Sequence, residues 1–288
     1  MITARTWNIP LKTAQKLLKP PTSGAGQLCE LRLRAGRCAV AVLSDGRMLR
    51  CSAPLTREDI EECFQELCRH SVHSFEREIA EGYITLPGGH RAGFCGTAVI
   101  RDEKLVTLRD ISAINLRIAH EIKGCAEQLY RSVFSDGLHS LLIAGKPMSG
   151  KTTVLRDLSR LLGERCKTAL IDCRGELAAS YNGTPSLDIG ENTDILTGYP
   201  KNEGIMIALR TMSPDIILCD EISGESELLK DCMNCGVRLV ATIHADSVTE
   251  LLSAERTRRL AEGFDLVAVL GEKGSVKELR RVRKEAAT

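Results

Sequence analysis

The sequence predicts an α/β protein: a larger part, residues 119–288, built on a parallel sheet, preceded by a smaller α+β domain over residues 1–118. Three observations carry this. From about residue 120 onward, short apolar runs recur between helix-length segments: LLIAG (141–145), ALIDC (169–173), DIILCD (215–220), LVATIH (239–244) and LVAVL (266–270). Continuous apolar strands spaced this way imply a parallel sheet covered by helices on both faces. The earlier residues instead alternate apolar and charged side chains, the period of a half-buried strand. The length of 288 residues fits about two domains, and 43% hydrophobic residues supply their cores.

In chain order, Leu31-Arg32-Leu33-Arg34 marks a strand over 28–34. Residues 38–51 read as a hairpin, CAVAVL and RMLRC joined by Asp45-Gly46. Thr56, with Asp59 three residues on, opens a capped helix that keeps Ile60, Phe64 and Leu67 on one face. A second hairpin follows, with strands near 82–86 and 91–99 joined by Pro87-Gly88-Gly89, and strand-like alternation continues through 105–117. No Pro/Gly-rich linker separates the two parts.

Composition excludes several roles. Lys+Arg total 39 and Asp+Glu 38, so the net charge of +1 exerts no general pull on nucleic acid. One Trp, four Tyr and five Phe are too few for a carbohydrate-stacking groove or a platform for single-stranded bases. No apolar stretch approaches the ~20 residues that span a bilayer. The start, MITARTWNIPLKTAQKLL, has no continuous apolar region and reads as no signal peptide. The expected compartment is therefore the reducing cytosol, where twelve scattered cysteines act as small apolar side chains. Cys232 and Cys235 form the one CxxC pair, and without a second pair it reads as packing rather than a zinc site.

The chemistry is concentrated in the second part. Gly145-Lys146-Pro147-Met148-Ser149-Gly150-Lys151-Thr152 fits G-x-x-x-x-G-K-[ST] in full, followed by Thr153. An apolar strand precedes it, and a helix with Val154, Leu155, Leu158 and Leu162 on one face follows. Glycines let backbone N–H groups turn toward phosphate oxygens, and the helix N-terminus adds its positive dipole end. Lys151 would bridge the β- and γ-phosphates, and the Thr152 hydroxyl would ligate magnesium. Downstream, a buried strand ends in Asp220-Glu221: Asp220 would hold the ion through its water shell, and Glu221 would polarise the attacking water. The 68 positions from Thr152 to Asp220 leave room for one extra helix–strand unit, which ALIDC fills. That is the arrangement of RecA-like ATPases, and without an NKxD-like guanine motif ATP is the expected nucleotide. His244, ending the next apolar strand, suits a γ-phosphate sensor, although a strand-end histidine is also commonly satisfied by a neighbour. Asp172 and Glu176 either extend the acidic side of the site or form a charged surface turn.

The chain resembles the stage III sporulation protein AA family, relatives of the ring-forming ATPases of type II and type IV secretion. The resemblance runs almost end to end. Its carriers are EGYITLPGGHRAGFCG (81–96), GKPMSGKTT (145–153), GYPKNEGIMIALRTMSPDIILCDEI (198–222) and ATIHA (241–245). In secretion ATPases an aspartate box follows the second core strand and a histidine box the fourth; Asp172, Glu176 and His244 fall on those positions. Cys173 stands where those proteins carry an acid, in DCRGE against D-E-R-S-E. The resemblance implies an ATPase using ATP and Mg²⁺ in the mother cell of endospore formers, peripheral at the inner face of the membrane around the forespore. It implies a homo-oligomeric ring, a hexamer, and partners among the other stage III A-operon membrane proteins. In such rings an arginine from a second domain or subunit stabilises the developing phosphate charge; Arg210 and Arg91 are the candidates, with a salt bridge the plain alternative for each.

The basic C-terminal run with Lys277, Arg280, Arg281, Arg283 and Lys284 reads as a solvated helix face, or less simply as a contact for anionic headgroups. Two further functional classes share the core: a nucleic-acid-dependent RecA-like ATPase, opposed by the neutral charge and scarce aromatics, and a structural ring stabilised by nucleotide.

Overall fold

A computed structural model describes residues 27–282 except 81, 182 and 223–225. The chain divides into two compact units, Met1–His120 and Glu121–Thr288. The N-terminal signal-peptide reading, and Arg283 and Lys284 of the basic run, fall outside the described residues.

The first unit begins with β1 (Leu28–Arg34), β2 (Cys38–Leu43) and β3 (Met48–Pro54), then α1 (Arg57–Leu67) and α2 (Glu76–Ala80), then β4 (Tyr83–Thr85), β5 (Arg91–Arg101) and β6 (Lys104–Arg117). Its sheet runs β3-β2-β1-β6-β5-β4, with every neighbouring pair antiparallel. The alternation in the sequence explains the single covered face: Leu31 and Leu33 are buried while Arg32 and Arg34 are not. Ile60 and Phe64 of α1 and Ile79 of α2 join Leu33, Ile114 and Leu116 in one core. Thr56 and Asp59 form a reciprocal capping box, with bonds of 3.1 and 2.7 Å. Gly46, at φ 82°, supplies the left-handed residue of the first hairpin turn.

The second unit contains α3 (Glu127–Phe134), β7 (Leu141–Ala144), α4 (Lys151–Gly163), β8 (Thr168–Asp172), β9 (Thr193–Thr197), α5 (Lys201–Thr211), β10 (Ile216–Cys219), α6 (Ser226–Asn234), β11 (Arg238–Ile243), α7 (Val248–Ser253), α8 (Glu255–Ala261), β12 (Leu266–Leu270) and β13 (Val276–Arg281). The strand order is β13-β12-β7-β11-β10-β8-β9, and all pairs except β12–β13 are parallel. The apolar runs are continuous because both faces of the sheet are covered. Leu141, Ile143, Leu170, Ile216 and Leu218 pack with Leu129 of α3 and Leu155 and Leu158 of α4. The alternate residues Leu142, Ala144, Ile171, Ile217 and Cys219 pack on the other side with Ile205 and Ala208 of α5, Leu251 of α7 and Leu260 of α8.

Two sequence expectations need correction. The basic run is no helix over its described part: Val276–Arg281 is an edge strand antiparallel to β12. Val276 and Leu279, three apart, both lean on the core, while the charged residues between them line an exposed edge of the kind that resists further pairing. ALIDC is the neighbour of β10 on the side away from β7; the strand that stands between β7 and β10 in space is β11. Among the described residues, no helix is long and apolar enough to cross a membrane.

Candidate active site

The loop between β7 and α4 turns in the way its glycines dictate. Gly150 has φ 98°, a conformation that L side chains rarely adopt, and a Cβ there would stand 3.0 Å from the backbone nitrogen of Gly274. At Gly145 a Cβ would come 2.5 Å from Ser149 Oγ, so the loop closes tightly on itself. The turn at 272–274 buttresses it, with Gly274 N–H donating to Ser149 O at 2.7 Å. Ser149 Oγ is buried with no hydrogen-bond partner, and Met148 and Lys146 stand on the exposed side.

Lys151 opens α4 and folds back over the loop. Its ammonium donates to Gly145 O at 2.7 Å and Lys146 O at 2.8 Å, and lies 3.2 Å from His244 Nδ1. Burial pulls its pKa below the usual lysine value, against the opposing pull of Asp220 and Glu221. Thr152, one residue on, donates its hydroxyl to Asp220 Oδ2 at 3.0 Å. Thr242, buried in β11, donates to the other oxygen of Asp220 at 2.5 Å and accepts from Glu221 N–H at 2.8 Å. Parallel pairing of β10 with β11 sets Cys219 beside Ala241, which brings the two strand ends into this register.

Glu221 follows in a left-handed conformation, φ 48°. Its carboxylate is flanked by Arg174 at 3.1 Å and His244 Nε2 at 3.4 Å, and its carbonyl accepts from Lys201 Nζ. Beside it is a cavity of about 240 Å³ formed by Asp172, Cys173, Arg174, Glu176, Lys201, Asp220 and Glu221, all charged but the cysteine. The structure thus gathers Lys151, Thr152, Asp220, Glu221 and His244 into one group, joined by hydrogen bonds, by Thr242 and by the His244–Glu221 ion pair, with Asp172 and Glu176 lining the adjoining cavity.

The remaining candidates make other contacts. Asp172 is buried, and its two oxygens accept from the N–H groups of Glu176, Leu177 and Ala178 at 2.9–3.0 Å, so it ties down a turn. Arg156 closes the same turn from below, donating to the carbonyls of Glu176 and Leu177. Arg210 is exposed on the last turn of α5, about 14 Å along the helix axis from Lys201, so this chain does not bring it to its own Glu221. Arg91, in the first unit, lies with its guanidinium 4.6 Å from the ring centre of Tyr83. Sequence reasoning missed Lys201 and gave Thr242 no role toward Asp220; it also missed Asp246, whose carboxylate pairs with Lys146 at 2.9 Å. Lys201 stands in the 198–222 block, where its place at the first helical position after Pro200 was the available signal.

The donor set fits a magnesium nucleotide. Thr152 and Asp220 offer one hydroxyl and one carboxylate, the modest protein share that suits an ion retaining most of its water and phosphate ligands. The unpartnered Ser149 Oγ and the inward-turned loop suit phosphate oxygens. Among the described residues no cluster of three His, Cys, Asp or Glu forms a cage for a tightly held metal.

Comparison with known proteins bears on the whole chain. The family model described as "Sporulation stage III, protein AA" matches residues 5–286. The Stage III sporulation protein AA of Bacillus subtilis (strain 168) is 34% identical over 241 residues, covering 81% of this chain and 78% of that protein. Of solved structures, the pilus retraction motor PilT with bound ADP aligns with a TM-score of 0.54 at 14% identity, covering 90% of this chain and 80% of that one. The Legionella pneumophila ATPase DotB aligns with a TM-score of 0.53 at 16% identity, covering 84% and 72%. At these identities the structural likeness shows a shared mixed α/β fold.

Proposed function

The chain belongs to the sporulation stage III protein AA family, and from that premise we propose that it is a magnesium-dependent ATPase with a RecA-like P-loop core. Its turnover energises or assembles the channel complex between mother cell and forespore during endospore formation. The working form is a homo-oligomeric ring, a hexamer, peripheral at the inner membrane face and partnered by the other stage III A-operon membrane proteins. Residues 119–288 carry the chemistry, and residues 1–118 serve specificity and assembly.

The observation that supports this reading best is the Thr152–Asp220 hydrogen bond, which ties the loop to the acidic strand end. Lys151, released from the carbonyls of its own loop, neutralises charge on the β- and γ-phosphate oxygens. Thr152 and Asp220 would hold magnesium, which when bound would neutralise further phosphate charge. Glu221 accepts a proton from the attacking water, and Arg174 and His244 hold its carboxylate in place. Water adds to the γ-phosphorus, and ADP leaves with the electron pair of the broken P–O bond. Arg210 lies too far along α5 to serve its own site, so any contribution from it is made to a neighbouring copy.

The test is ATP turnover by the purified, assembled protein. Lys151→Ala should abolish hydrolysis, and Glu221→Gln should bind ATP without turning it over. Hydrolysis unchanged in Lys151→Ala would overturn the assignment. Full sporulation function in Glu221→Gln would favour the structural-ring reading instead.

A further inference from the structure

Lys201 is the first helical residue of α5, and Pro200 before it supplies no side-chain cap. A cation is the wrong charge for a helix N-terminus, whose exposed N–H groups already form the positive end of the dipole. Lys201 therefore does nothing for its own helix. It is half-buried and faces the cavity that holds Asp220 and Glu221. Close helix–sheet packing puts it there: at Gly204, one turn on, a Cβ would stand 2.9 Å from Ile171 Cγ2, so only glycine lets α5 press this tightly on β8.

The ammonium donates to the main-chain carbonyl of Glu221. That residue needs support, because φ 48° is sparsely populated for a side chain bearing a Cβ. The bend is held on every side. Glu221 N–H donates to Thr242 Oγ1 at 2.8 Å, and Ile222 N–H donates to Thr242 O at 2.7 Å. Lys201 takes the one remaining backbone group of Glu221. With its peptide held at both ends, the direction of the Cα–Cβ bond is set, and from there the carboxylate lies between Arg174 and His244.

We propose that Lys201 is a positioning residue, which acts on hydrolysis by locking the left-handed bend at Glu221 and so aiming the carboxylate. This deepens the hydrolytic reading and rests on it. It is distinct from phosphate binding, which belongs to Lys151.

The test uses full-length Lys201→Met and Lys201→Arg with two readouts. In hydrolysis assays Lys201→Met should lower kcat about tenfold or more, as misplacement of a reacting group does. The Kd for ATP should stay within about twofold. Lys201→Arg should regain much of kcat, since it can still reach the carbonyl. The second readout needs no nucleotide: hydrogen exchange at the Glu221 and Ile222 amides should quicken about tenfold in Lys201→Met, with the thermal midpoint held. An unchanged kcat, unchanged exchange, or an ATP affinity that falls in step with kcat each overturns the proposal. If the native protein hydrolyses no ATP yet exchange quickens in Lys201→Met and not in Lys201→Arg, the positioning role stands and the hydrolytic reading fails.

Discussion

Thr152 and Asp220, 68 positions apart, are joined by a 3.0 Å hydrogen bond from the threonine hydroxyl to Asp220 Oδ2. The other carboxylate oxygen is held by Thr242 at 2.5 Å, so Asp220 is fixed from two elements at once. A carboxylate gripped this way keeps its orientation whether or not an ion is bound, which makes it a prepared ligand.

Asp220→Asn keeps the shape and removes the charge. Magnesium-dependent tightening of ATP binding should fall about tenfold or more, while magnesium-free binding stays near the native level. Titration of a fluorescent ATP analogue with and without magnesium reads both values. Equal loss in both conditions would mean that Asp220 serves only the fold.

Lys151 predicts a pH signature in the nucleotide-free protein. Burial lowers its folded pKa from 10.5, so between the depressed value and 10.5 the unfolded chain binds more protons than the folded one. Through that window the contribution of Lys151 makes stability rise with pH. Lys151→Met should remove this slope, so the difference in urea midpoint between native protein and variant should narrow as pH rises toward 10.5. A constant difference would show that the ammonium is not desolvated.

Much of this site was legible because its parts are local. The loop glycines and Lys151 lie within eight consecutive residues, and β10 announces Asp220 by its apolar run. The contacts that orient Glu221 are a different matter. Lys201, Thr242 and Arg174 come from three other segments, and only the sheet order and the register of β11 beside β10 bring them together. The edge strand β13 hid for another reason: its run of basic residues on an exposed edge masks the two apolar side chains that hold it. Asp172 was ambiguous because an acid at a strand end serves a turn as readily as an ion.

The three N–H bonds to Asp172 now separate those alternatives. Asp172→Ala strands the buried N–H groups of Leu177 and Ala178, and should lower stability by about 3 kcal/mol. ATP affinity per folded molecule should change little. Urea unfolding with parallel ATP titration reads the two effects apart. A full-strength fold with impaired turnover would instead put Asp172 in the chemistry.

The cysteines give the last prediction, because burial grades them steeply. Cys95 and Cys235 are exposed, whereas burial pushes Cys219 and Cys232 up to about 12. The thiolate is the reactive form, so iodoacetamide at neutral pH should label Cys95 and Cys235 first and reach Cys219 and Cys232 only on unfolding. The same burial carries a stability term. Above pH 9 the unfolded chain ionises thiols that the folded chain keeps protonated, so their contribution is intact below 9 and is lost as pH climbs toward 12. Cys219→Ala should flatten that alkaline fall while lowering neutral stability by about 1 kcal/mol for the small void it leaves in the β10 core. Peptide mapping after labelling and urea midpoints against pH check the two halves. Labelling of Cys219 as fast as Cys95 would mean that β10 opens readily, and with it the strand that carries Asp220 and Glu221.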